Sequence, residues 1–164
     1  MALKFNIEEV KEFIINSSET SKIYIGSDSV KFKKHGVWYA DFTTAVVIHR
    51  DGNKGCKVFG KAVFERDYDQ KKDRPSIRLM SEVYKTAEMY LELAETIGDR
   101  YFELHLDINP DEMHGSSCVI TQATGYIRGM CGVIPMVKPD AFAASFTADR
   151  LKDIINVQNE EEVA

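Results

Sequence analysis

The sequence predicts an α/β fold: a mixed five-stranded sheet flanked by helices, with an extra N-terminal helix in front. Three observations predict it. Strand-like runs between residues 22 and 65 are joined by short turns, which imposes an antiparallel meander. A long helical pattern follows, opened by Pro75 and Ser76 and closed by Gly98. Last comes strand, helix, strand between residues 101 and 138, a connection that makes its two strands parallel and the crossover right-handed.

In order, Asn6-Ile7-Glu8-Glu9 starts a helix with Asn6 as N-cap and Glu9 completing a capping box. Ile7, Val10 and Phe13 or Ile14 recur at helical spacing to about residue 16, and a polar break follows at 17–21. The first strand runs from 22 to about 29, through Ile23-Tyr24-Ile25 to Gly26-Ser27-Asp28-Ser29. Residues 30–36 read as a hairpin hinge with a basic tip. The second strand spans 37–49, and Arg50-Asp51-Gly52-Asn53 turns the chain into a third, 56 to about 65, with Val58, Ala62 and Phe64 on one face.

Residues 66–74 form a charged loop, expected to be solvated and mobile. In the long helix, Arg78, Ser81, Lys85, Glu88, Glu92 and Glu95 fill a polar arc, and Met80, Val83, Tyr84, Ala87, Tyr90, Leu91, Ala94 and Ile97 an apolar one. Glu82 belongs to neither and projects at the apolar margin. A fourth strand at 101–108 buries Phe102, Leu104 and Leu106. Ser116 or Ser117 caps a helix closed by Gly132, a fifth strand covers 133–138, and a final helix runs from about 146 to 157.

Composition sets bounds. One domain, 1–164, is expected, with 1–20 as a helical extension and 158–164 as a frayed tail. Of 164 residues, 44% are hydrophobic and 29% charged, as in soluble globular proteins. No run is long and apolar enough for a bilayer, and the first residues lack the build of a signal peptide. Cys56, Cys118 and Cys131 are odd in number and far apart, which points to reduced, buried thiols in a cytoplasmic protein. The net charge of −5 counts against wrapping nucleic acid by bulk charge, but not against holding it locally through metal ions. Phosphate-binding glycine loops, the dinucleotide fingerprint and the nucleophile elbow are all missing.

The chemistry lies in the acids. Asp28 and Asp107 each follow an apolar strand, and parallel neighbours would bring both to the same C-terminal edge. Glu82 sits in the early turns of the long helix, Asp140 directly follows the fifth strand, and Asp149 opens the last helix. Carboxylates crowded at one edge raise each other's pKa unless a cation is present. Oxygen donors without cysteine or histidine pairs suit Mg²⁺ or Mn²⁺. Two such ions about 4 Å apart activate a water and steady the leaving oxygen of a phosphodiester.

This order of elements and acids resembles the ribonuclease H-like superfamily, and within it the YkuK-type family. The resemblance rests on Ile25-Gly26-Ser27-Asp28-Ser29, Val46-Val47-Ile48-His49-Arg50, His105-Leu106-Asp107-Ile108-Asn109, Val137-Lys138-Pro139-Asp140 and Ala148-Asp149-Arg150. It implies a central first strand beside the fourth, and Asp28, Glu82, Asp107 and Asp149 as a catalytic, metal-binding quartet, with Asp140 the other candidate for the fourth place. The function it implies is a nuclease using two Mg²⁺ or Mn²⁺ ions on RNA–DNA hybrid, RNA or structured DNA. The alternatives are an inactive module that binds nucleic acid or protein, and a metal-dependent phosphatase or small-nucleotide hydrolase.

Further candidates for substrate contact are Ser29, the hairpin lysines Lys31 and Lys33 (with Lys34, His35 and Trp38 or Tyr39), His114, Lys138 and Arg150. Lys71, Lys72 and Arg74 are weaker, being interspersed with Asp67, Asp69 and Asp73. His105 shares the face of Asp107, where packing explains it equally well.

Overall fold

The computed structural model describes residues 5–52, 54–69, 76–110 and 119–138. Of the expected features, Pro75, Ser116, Ser117, Cys118, His114, Asp140, Asp149, Arg150, the basic residues Lys71, Lys72 and Arg74, the final helix and the tail lie outside the described residues.

Helix α1 (Ile7–Asn16) starts where Asn6 Oδ1 accepts the Glu8 N–H at 3.0 Å, and it buries Val10 and Ile14. Strands β1 (Lys22–Lys34), β2 (Val37–His49) and β3 (Cys56–Arg66) form the meander. Helix α2 (Ser76–Ile97), strand β4 (Tyr101–Leu106) and helix α3 (Ile120–Cys131) follow. Gly132, with φ 72°, closes α3 in the left-handed conformation that glycine adopts without strain.

The sheet order is β3-β2-β1-β4, antiparallel except for the parallel β1–β4 pair. Among the described residues it has four strands, not the five expected. The segment expected as the fifth touches β4 through one parallel bridge, His105 with Met136, where Leu106 N–H donates to Met136 O and Met136 N–H to Leu104 O, both at 2.9 Å. Two residues on, Lys138 N–H donates to Ile108 O at 3.0 Å, out of step with a parallel ladder. The pairing slips after this one bridge, so the segment touches the sheet edge without becoming a strand.

Strand β1 is also longer than the sequence suggested. The Gly26–Ser29 stretch imitates a turn, yet all of β1 pairs with β2, from Lys22 opposite His49 to Lys34 opposite Val37. Only His35 and Gly36 turn the hairpin, both at positive φ, as a two-residue loop between twisted strands requires. Val30 and Phe32 alternating with lysines were the missed strand signal.

One face of the sheet carries Ile23, Ile25, Val46, Ile48, Leu104 and Leu106, and α1, α2 and α3 contribute to a single core with them. Val58, Ala62 and Phe64 do share a face, but it is the exposed one. The buried face of α2 is Leu79, Met80, Glu82, Val83, Thr86, Ala87, Met89, Leu93 and Ile97. That face is turned by roughly 60° from the expected arc, at 100° per residue. Tyr84 and Leu91 are exposed, whereas Thr86 is buried because Ser27 and Thr44 offer it polar company on the sheet: Thr86 Oγ1 to Ser27 Oγ and Ser27 Oγ to Thr44 Oγ1 are both 2.9 Å.

The charged loop before α2 is only partly solvated where it is described: Tyr68 is exposed, but its acids are not. Asp67 and Asp69 are buried; Asp69 Oδ2 accepts the N–H of Ile77 at 2.8 Å and of Arg78 at 3.3 Å, satisfying donors at the start of α2. Cys56 is exposed and Cys131 half-buried, so neither is the buried thiol expected.

Candidate metal centre

The β1–β4 ladder ends with Ser27 opposite Leu106. One step further along each chain stand Asp28 and Asp107. The parallel register therefore sets the two carboxylates side by side at the C-terminal end of the shared ladder. There β4 stops, while β1 runs on into the hairpin. Strand alternation directs Asp28 away from Ile23 and Ile25, while Asp107, past the last residue of β4, lines the same cleft as Leu79, Glu82 and Thr86 of α2. Glu82 enters from α2, whose seating on β1 is fixed by the Ser27–Thr86 contact one helical turn away.

Carboxylate oxygens of Asp28, Glu82 and Asp107 all lie within 4.8 Å of one another. Glu82 is 5% exposed, against Leu79, Val83, Leu106 and Ile108. Burial, then the charges of Asp28 and Asp107, push its pKa well above the usual 4.5; Arg78 and a hydrogen bond from Ser29 pull the other way without winning. Ser29 Oγ donates to Glu82 Oε2 at 3.2 Å and receives Arg78 Nη1 at 2.9 Å. The pKa of Asp107 is also raised, chiefly by burial, with Lys138 opposing and Asp28 adding to the rise.

Lys138 Nζ lies 2.6 Å from Asp107 Oδ1, an ion pair in which the lysine side chain is 42% exposed. The nest thus carries one ammonium on its rim and one guanidinium reaching it through Ser29. Among the described residues, three acids stand against these two cations. The donors of the nest are all hard oxygens, so the residues present fit a divalent ion of the Mg²⁺ or Mn²⁺ type.

Of the residues expected from sequence, Asp28, Glu82 and Asp107 come together, with Ser29 and Lys138 in contact with them. Lys31 and Lys33 do not. At about 3.3 Å per residue their backbones stand roughly 10 and 16 Å from Asp28, so the basic tip is not beside the acids. Lys31 is tied to Asp67 at 3.8 Å, and both lysines lie over the ring of Trp38. His105 is buried, 2.7 Å from Glu103 Oε2 and packed on Tyr24, which assigns it to the sheet. Arg78 was placed on a solvent arc by its charge. Its spacing of four residues before Glu82 on one helix was the signal that joins them.

With that geometry in view, the comparisons add one match. The sequence profile described as ribonuclease H-like covers residues 6–153. The chain belongs to the ribonuclease H-like family. The resemblance to the ribonuclease H-like superfamily read from the sequence is borne out at that level. Neither the curated proteins nor the solved structures contain a significant match to the chain. Among the described residues no helix is long and apolar enough to cross a membrane.

Proposed function

We propose that this ribonuclease H-like chain hydrolyses nucleic-acid phosphodiester bonds with the help of two Mg²⁺ or Mn²⁺ ions. The observation that carries the reading is the convergence of Asp28, Glu82 and Asp107 within 4.8 Å at the end of the parallel ladder. Asp28 lies centrally in the sheet and would bridge the ions, with Glu82 and Asp107 on either side and Asp149 (or Asp140) as a fourth ligand. Bound ions would lower the pKa of a water and neutralise charge on the leaving oxygen.

The chain's own residues do the rest. Ser29 and Arg78 orient Glu82, and Lys138 holds Asp107 until a cation takes its place. Lys138, Ser29, His114 and Arg150 are the proposed phosphate contacts, with Lys31 and Lys33 further out along the hairpin. The substrate class is RNA–DNA hybrid, RNA or structured DNA, handled by residues 1–164 as one cytoplasmic domain.

The Lys138–Asp107 pair favours a second reading, in which the fold binds nucleic acid or protein without catalysis, because a lysine already compensates one acid. Purified protein is assayed with Mn²⁺ on hybrid, single-stranded and branched substrates beside Asp28→Asn. Cleavage by the wild type and at least a hundredfold less by the variant supports hydrolysis. Equal background in both supports the binding module.

A further inference from the structure

Beyond Asp28 the hairpin carries three aromatic rings, one from each strand of the meander. Phe32 stands directly opposite Tyr39, and Phe64 opposite Asp41, one same-face step along. The Tyr39 and Phe64 rings are 5.0 Å apart at 17°, Phe32 and Phe64 5.0 Å apart at 39°, and Phe32 and Tyr39 6.1 Å apart at 26°. Strand alternation sets them on the face that Asp28 occupies. On β1 that face reads Asp28, Val30, Phe32, each step about 6.6 Å, so the first ring is roughly 13 Å from the acids.

The cluster is open. Phe64 is 53% exposed, and Val30, between Phe32 and Asp28 on β1, is 50% exposed. Arg66, opposite Tyr39 across β2–β3, lies over the ring of Tyr68 at 5.1 Å, and Tyr68 is itself 64% exposed. Lys34 is the next residue after Phe32 on the same face. One exposed ring backed by two half-buried ones, Phe32 and Tyr39, and bordered by arginine and lysine, is a surface on which unpaired bases stack. A duplex hides its base faces within its own stack, so such a surface selects single strands. Asp41 interrupts the positive border and the net charge is −5, so stacking, not phosphate attraction, has to carry the affinity.

We propose that Phe32, Tyr39 and Phe64 form a stacking platform for unpaired bases of a single-stranded nucleic acid whose backbone passes Asp28. The direction of the strand rests on the hydrolytic reading of the acids; the binding itself does not.

The test is fluorescence anisotropy in EDTA with short labelled oligo-U, oligo-dT and an RNA–DNA hybrid duplex of equal length, using wild type, Phe32→Ala, Phe64→Ala and Phe64→Trp. Single strands should bind more tightly than duplex, with a shallow salt dependence. Each alanine variant should lose roughly tenfold or more, and Phe64→Trp should retain binding. The preference between oligo-U and oligo-dT assigns the sugar. Thermal melts confirm that the exposed Phe64→Ala variant folds. Duplex bound as well as single strand, or both alanine variants binding like wild type, overturns the platform. So does self-association of the wild type that Phe64→Ala abolishes, since the patch would then seat a second copy. Mn²⁺-dependent cleavage with ring-independent binding refutes the platform alone; ring-dependent binding without cleavage refutes the nuclease reading alone.

Discussion

Replacing Glu82 by glutamine isolates what the acid cluster costs the fold. Glu82 holds its proton more tightly when folded than when unfolded, because burial and the charges of Asp28 and Asp107 disfavour its ionised form. Such a group contributes stability that is fully present below its unfolded pKa, near 4.5, and is lost as pH rises through the higher folded value. Across that window the loss approaches about 1.4 kcal/mol per pH unit, so it cannot exceed about 3.5 kcal/mol at pH 7. Glutamine does not ionise, and its amide oxygen still accepts from Ser29 Oγ. In EDTA, urea unfolding from about pH 5 to about pH 8 should therefore show similar stabilities at the acid end. The variant should move ahead by one or more kcal/mol near pH 8. Saturating Mn²⁺ should reverse the order, since binding at a hundred times Kd stabilises by about 2.7 kcal/mol and the variant lacks a ligand. Parallel pH slopes for the two proteins in EDTA would refute the reasoning.

Two further outcomes follow from the same geometry. Lys138→Ala should tighten Mn²⁺ binding in calorimetry by about two- to fivefold, the worth of a partly exposed ion pair that the metal no longer has to displace; unchanged or weaker binding would mean that Lys138 does not compete. Asp69→Ala removes the acceptor for two N–H groups at the start of α2, and should cost about 1 kcal/mol, a fall of roughly 2–4 °C in Tm, at equal metal affinity.

The acids were legible because each is announced locally. Asp107 follows a strand with a clear alternation and stands ahead of Asn109-Pro110. The bounds of β2 were equally plain, since apolar alternation ends at a turn signal on either side. Asp28 was found for a partly mistaken reason. Its Gly-Ser-Asp-Ser setting reads as a turn, but Ser27 is small because α2 and β2 close over it, as the buried Ser27–Thr44–Thr86 cluster shows. The face of α2 was misjudged on the same ground: residue type argued for Tyr84 and Leu91, while the buried position of Thr86 depends on a hydroxyl from another strand. Lys138 meeting Asp107 depends on a single bridge at Met136, and no local pattern encodes that register.

The central claim is that Asp28, Glu82 and Asp107 form an oxygen nest for divalent ions. The most direct test is anomalous scattering from a crystal grown or soaked with Mn²⁺. The predicted result is two peaks, about 4 Å apart, ligated by these three carboxylates, with Lys138 moved off Asp107. A map without a peak there, and with Lys138 still seated on Asp107, would contradict it.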